Sequence, residues 1–370
     1  MSVSWEVTAF AVQTSTADQR TDALYANGRM QVPVIVSVRA INGSTGASYQ
    51  LTNAELERIQ LVDYFSSATE ITGTWFYSTT ENEFSHSLSG TREPVVPIVD
   101  GAQSIFFWVS STRVENRNIA ARITQPNNTT ITTAGAMFNS FVTLNARQPV
   151  AYTTGNVTLG DSESTAEGIW KSTFFTNQVS HVTDKDWQQE TYSLTTNFHP
   201  VLKAELFDFN TNGNQAPNNG WRSTSLTNSF AYRPHRALDV FYFWAPGAQA
   251  TRHVGVFHQI SHLDVDQNLN PVNFTSLTTD ARANVQVNQK RNAFCFTHMK
   301  FLGTSTWGNG WQMDAWFRLY DTFGNIGEFY PRVREETDED GAVQNTLFLQ
   351  NKNTGTSSTE AAALKPTAKL

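Results

Sequence analysis

The stretch from Tyr25 to Ala40, YANGRMQVPVIVSVRA, decides how the rest of this sequence reads. The turn dipeptide Asn27-Gly28 is followed by strict alternation. Met30, Val32, Val34, Val36, Val38 and Ala40 fall on one face. Gln31, Pro33, Ile35, Ser37 and Arg39 fall on the other. Period two over that length is a β-strand that buries one side. Pro33 has no N–H for a ladder, so the pattern predicts an edge strand. An apolar edge of that length raises the question of whether it ends a sheet or receives another subunit. Gln31 and Arg39 beside it would limit the register.

Working outward, period two recurs along the chain. SWEVTAFAVQT, SIFFWVSSTRV, RNIAARITQ and AMFNSFVTLNA stand in the first half. LKAELFDFN, DVFYFWAPG, RHVGVFHQIS, AFCFTHMKFLG, QMDAWFRLYD and NTLFLQN stand in the second. Turn chemistry separates them at Asn42-Gly43, Asn219-Gly220, Pro246-Gly247, Asn309-Gly310 and Asp340-Gly341. The pattern predicts an all-β protein. One short helix is expected in LTNAELERIQLV, where Thr52 and Glu55 form a capping-box pair.

The two halves align block by block. TWFYSTTENEF resembles GWRSTSLTNSF, IFFWVS resembles FYFWAP, RNIAARI resembles RHVGVFH, and FNSFVTLNAR resembles FTSLTTDAR. The spacing from Trp108 to Phe138 equals that from Trp244 to Phe274. This predicts two tandem, internally related antiparallel β-sandwich domains, jelly-roll or Ig-like. The expected ranges are 1–165 and 187–350, with a linker at 166–186 and a flexible tail at 351–370. WGNGWQMDAWFRLYDTFGN has the same Asn-Gly entry as the opening stretch, which suggests a strand that has changed place between the halves.

The chain has 370 residues, 39% of them hydrophobic and only 16% charged, so Asn, Thr, Ser and Gln must cover much of the surface. Such a surface suits self-association or contact with sugars. The net charge is -7 and no basic stripe is present, which argues against nucleic acid. No segment is long and apolar enough for a membrane-spanning helix, and the first residues do not read as a secretory signal. Cys295, between Phe294 and Phe296, reads as a small buried apolar residue.

Several constellations carry candidate chemistry. HQISH has zincin spacing, but Gln259 stands where a general base is needed, and its flanks alternate like a strand. On a strand, His258, His262, Asp264 and Asp266 would share one face and form a candidate site for zinc or a similar ion. The plainer alternative is a polar strand face with a His–Asp hydrogen bond. Asp208, Asn210 and Asn212 open an EF-hand-like run, but Asn219 stands where the bidentate Glu belongs. Asx turns are the simpler reading. Ser162, in LGDSES, lacks the strand-to-helix turn of an esterase nucleophile. Trp75 and Trp221 recur at matched positions and are candidate sugar-stacking residues, with core anchoring as the alternative. Ala368, Lys369 and Leu370 resemble the C-terminal peroxisomal address.

Together these features predict a non-catalytic, self-associating structural protein without a resident cofactor, a bound divalent cation aside. The alternative is a lectin-like or toxin-type protein that binds glycans. The expected compartment is intracellular. In a eukaryote it would be peroxisomal, with the import receptor as a partner, and otherwise cytoplasmic.

Overall fold

The computed structural model describes residues 4–88, 101–160, 163–176, 179–207, 229–232, 238–244, 246–288, 290–302, 316–337, 341, 343–352 and 358–360. It is 61% strand and 2% helix, which establishes the all-β class. The chain divides into two compact units, Met1–Val150 with Thr322–Asn325, and Ala151–Asp321 with Ile326–Leu370.

The first unit contains β1 (Trp5–Thr14), β2 (Thr21–Tyr25), β3 (Val32–Asn42), β4 (Ser48–Tyr49), the single turn of helix α1 (Asn53–Leu56), β5 (Gln60–Asp63), β6 (Trp75–Ser78), β7 (Gln103–Ser111), β8 (Asn116–Thr124), β9 (Thr130–Thr132) and β10 (Val142–Arg147). One five-stranded sheet runs β1-β3-β7-β6, with β4 on β3. The other runs β2-β10-β8-β5, with β9 on β8. Phe10, Val34, Val36 and Phe107 from the first share one apolar core with Leu61, Ile119, Val142 and Leu144 from the second. The helix carries the expected capping box between Thr52 and Glu55.

The opening stretch behaves as a strand, but not as an edge. β3 lies between β1 and β7. Its second face is covered as well: Gln31, Ile35 and Ser37 are buried, and Pro33 stands opposite Trp108. Proline is tolerated here because the β1 ladder ends at Thr14 opposite Val34. On that side Pro33 has no partner to deprive of a donor. The turn before it forms as expected. Gly28 has φ +71°, and the Asn27 side chain accepts from the N–H groups of Arg29 and Met30, both at 2.8 Å. Four residues from far along the chain complete this corner: Asn27 Nδ2 donates to Phe323 O and to Asn325 Oδ1, both at 2.9 Å.

Among the described residues β1 is one edge of that sheet, and two of its outward N–H groups are occupied. Gln125 Oε1 accepts from Val7 N at 2.8 Å, and Ser140 Oγ accepts from Val12 N at 2.9 Å. Side chains thus block pairing at two points along this edge.

The second unit contains β11 (Ala151–Tyr152), β12 (Val157–Leu159), β13 (Glu163–Thr176), β14 (Val179–Thr196), β15 (Val201–Phe207), β16 (Ser229–Tyr232), β17 (Leu238–Trp244), β18 (Ala250–Val265), β19 (Pro271–Val287), β20 (Phe294–Phe301), β21 (Trp316–Asp321), β22 (Ile326–Thr337), β23 (Val343–Asn351) and β24 (Ser358–Glu360). A six-stranded sheet runs β15-β21-β22-β23-β24, with β11 on β22. An eight-stranded sheet runs β16-β17-β20-β14-β13-β19-β18, with β12 on β14. Aromatic rings join them: Phe294 lies 5.0 Å from Phe317, and Phe317 lies 5.6 Å from Phe329. On the other side of the eight-stranded sheet, Val240, Tyr242, Met299 and Phe301 pack with Trp170, Trp187 and Val285.

Two expectations are corrected. The expected linker at 166–186 is corrected: residues 166–176 lie in β13 and 179–186 in β14, paired from Glu163 opposite Thr191 to Thr176 opposite Val179. Their Ser, Thr and Asp content reads as a linker because residues 179–184 of β14 are exposed on both faces, so no buried face imposes alternation there. The tail is not wholly without regular structure, since β24 pairs with β23. Beyond Trp187, where β14 pairs with β20, the strands β14, β13, β19 and β18 continue the sheet.

Candidate functional site

β18 and β19 form a hairpin paired from Ala250 opposite Val287 to Val265 opposite Pro271. Alternation places His262 and Asp264 on one face of β18, and the His258 side chain lies outside the described residues. His262 Nε2 and Asp264 Oδ1 are 2.8 Å apart. Asp264 Oδ2 stands 3.5 Å from Asn273 Nδ2. Asp266 does not join that face. It lies in the turn, where its carboxylate accepts from Asn268 N and Asn270 N, both at 2.8 Å, and from Asn270 Nδ2 at 3.1 Å. The Asn270 and Asn268 bonds hold its carboxyl below the usual range. The expected four-residue metal face is therefore divided between a strand pair and an Asx turn. Among the described residues no three His, Cys, Asp or Glu side chains gather to hold an ion. Asp208, Asn210, Asn212, Trp221, Ala368, Lys369 and Leu370 lie outside the described residues.

Trp75 is 0% exposed, and its Nε1 donates to Glu115 Oε1 at 2.8 Å. A ring enclosed in the core presents no face to a sugar, so Trp75 is an anchor and not a stacking residue. Trp5 is held the same way, donating to Glu55 Oε1 at 2.7 Å. Cys295 is buried, as its flanking phenylalanines suggest.

A polar cleft of about 610 Å³ opens where β1 ends and β10 begins. Asp18 builds one wall. Its carboxylate accepts from the Thr21 hydroxyl, from Arg20 N at 3.0 Å, from Thr16 Oγ1 at 2.7 Å and from Thr21 N at 3.1 Å. Those bonds, the Thr21 hydroxyl first, keep it ionised far below the ordinary range. Gln19 holds φ +55° in the same turn. Opposite, the Asn139 side chain accepts from the Tyr64 hydroxyl at 2.9 Å, and the Tyr64 ring lies 4.3 Å from Phe141. Gln13 Nε2 donates to Gln19 Oε1 at 3.0 Å, while Gln13 Oε1 is buried without a partner among the described residues. The lining mixes amides, hydroxyls, one carboxylate, one guanidinium and one aromatic ring. Ser140 lines it beside Asn139, Phe141 and Thr143. Thr16, Asp18 and Thr21 in STADQRTD are the sequence signal for this turn, overlooked because no motif of chemistry includes them.

A second polar cluster is internal. His298 is buried, stacked on Phe241 with centroids 4.0 Å apart, and its Nδ1 lies 3.3 Å from Glu190 Oε2. Lys300 Nζ donates to Glu190 Oε1. Burial works to raise the Glu190 carboxyl, but His298 and Lys300 outweigh it and hold it at about 2. This is a partly buried polar network across β14 and β20.

Comparison with known proteins finds no matching family model, no matching curated protein and no matching solved structure. Among the described residues the arrangement is that of an all-β protein that ends one sheet on a long edge strand and carries a polar cleft beside β1 and β10.

Proposed function

We infer that this chain is a non-catalytic assembly protein that associates with copies of itself through its β-sheets. One observation carries the reading. β18 is the last strand of the eight-stranded sheet, and among the described residues it has β19 on one side and no strand on the other. A strand of that length left open is a template for another strand. The contrast with β1, where Gln125 and Ser140 cap two outward N–H groups, supports it. So does the low charged fraction of the chain. Size-exclusion chromatography with light scattering over a concentration series tests it. Assemblies heavier than the 41.3 kDa chain are expected to grow with concentration. A monomer at every concentration contradicts the reading.

The cleft favours a second role, recognition of a neutral polyol or sugar. Gln13, Gln19 and Asn139 with Asp18 give it the amides and carboxylate that suit hydroxyl groups. A glycan array with wild type and Gln13→Ala tests it. Binding lost in the variant supports this role, and no binding by wild type removes it.

A further inference from the structure

We propose that two copies pair antiparallel along β18 about a two-fold axis at His258, with Arg252 of each opposite Asp264 of the other. This rests on the self-association reading and specifies its site.

The geometry restricts the choices. A two-fold axis normal to a continuous sheet returns each face to itself. Residues directly opposite one another point to the same side, so partners on the two β18 strands must be of equal parity. Two registers then overlap the strands almost fully. One sets Ala250 opposite Asp264 and Arg252 opposite His262. The other sets Thr251 opposite Val265 and Arg252 opposite Asp264, with His258 facing its own copy.

Charge decides between them. The first register places a guanidinium against an imidazole. The second places it against a carboxylate, twice by symmetry. Asp264 is positioned for this: its side chain is 51% exposed, Oδ1 is engaged by His262, and Oδ2 has the longer 3.5 Å contact with Asn273. Arg252 is exposed near the other end of the strand. The edge is also regular enough to pair. The register shift near the hairpin turn takes Asp264 opposite Asn273 and Val265 opposite Pro271. The extra residue is Val272, so the bulge lies on β19 and not on the open strand. The exposed Leu263 and Val265 would then face His253 and Thr251 of the second copy, partly covering apolar side chains now in solvent.

Cysteine crosslinking and charge exchange test the register. Opposed residues on paired strands have Cβ atoms about 4.5–5.5 Å apart, close enough for a disulfide with slight adjustment. His258→Cys should therefore oxidise to a covalent dimer. Val256→Cys should not, since Val256 would face Ile260 and stand about 13 Å from its own copy. Wild type, with Cys295 buried, is the blank. Arg252→Asp and Asp264→Arg should each weaken association about tenfold or more, and the double exchange should restore it. Circular dichroism identical to wild type confirms that each variant is folded. Crosslinking of Val256→Cys as fast as His258→Cys, or a double exchange as weak as the singles, overturns this register and leaves self-association standing. A wild type that never dimerises overturns both.

Discussion

Trp75 and Glu190 show how single residues sort into structure and function. Trp75→Ala removes a fully enclosed ring and its hydrogen bond to Glu115. It should cost about 3–5 kcal/mol in urea unfolding, with glycan binding unchanged per folded molecule. Glu190 predicts a pH dependence. Its folded carboxyl sits at about 2 against an ordinary 4.5. A depressed carboxyl contributes stability that is complete above the ordinary value and is lost as pH falls towards 2. Wild type should therefore lose stability across that window. Glu190→Gln should start about 1.5–3 kcal/mol less stable and show a flatter acid limb. Equal slopes in the two proteins would refute the assignment. At this scale the sequence was partly readable. Cys295 between phenylalanines signals burial, and the capping box at Thr52 and Glu55 has a fixed spacing. Trp75 was ambiguous because stacking and core tryptophans have the same local neighbours. The Gln13–Asp18 corner was missed because it forms only when β1, β2 and β10 meet.

At the scale of the element, period two identified the strands but not their neighbours. β3 is buried on both faces, so its alternation of apolar and mixed residues says which side meets the larger core and nothing about edge position. The proline signal failed because one ladder stops a residue short of it. The 166–186 stretch reads as a linker for the opposite reason: β14 is exposed on both faces over residues 179–184 and has little alternation to display. The pairing of β13 with β14 is nevertheless specific at its base. A Cβ on Gly168 would come within 2.7 Å of the Trp187 ring across the strand pair. Gly168→Ala should destabilise by about 1–3 kcal/mol through overpacking. Chemical denaturation measures it, and an unchanged midpoint would show that the ring can move aside.

For the whole molecule, the all-β class was readable from turn punctuation and aromatic strands. The unit boundary was not, because it falls at Val150 and Ala151, inside strand-like sequence and before the polar stretch. The edge also moved. The strand first suspected of receiving a subunit is interior, and β18 takes that position. The most direct measurement is hydrogen exchange by mass spectrometry on wild-type protein across a concentration series. In an antiparallel edge strand alternate N–H groups point away from the sheet and exchange freely until a partner covers them. Protection of peptides covering Ala250–Val265 should rise with concentration, while β1 peptides stay unchanged. Association without any gain of protection in β18 would contradict the account.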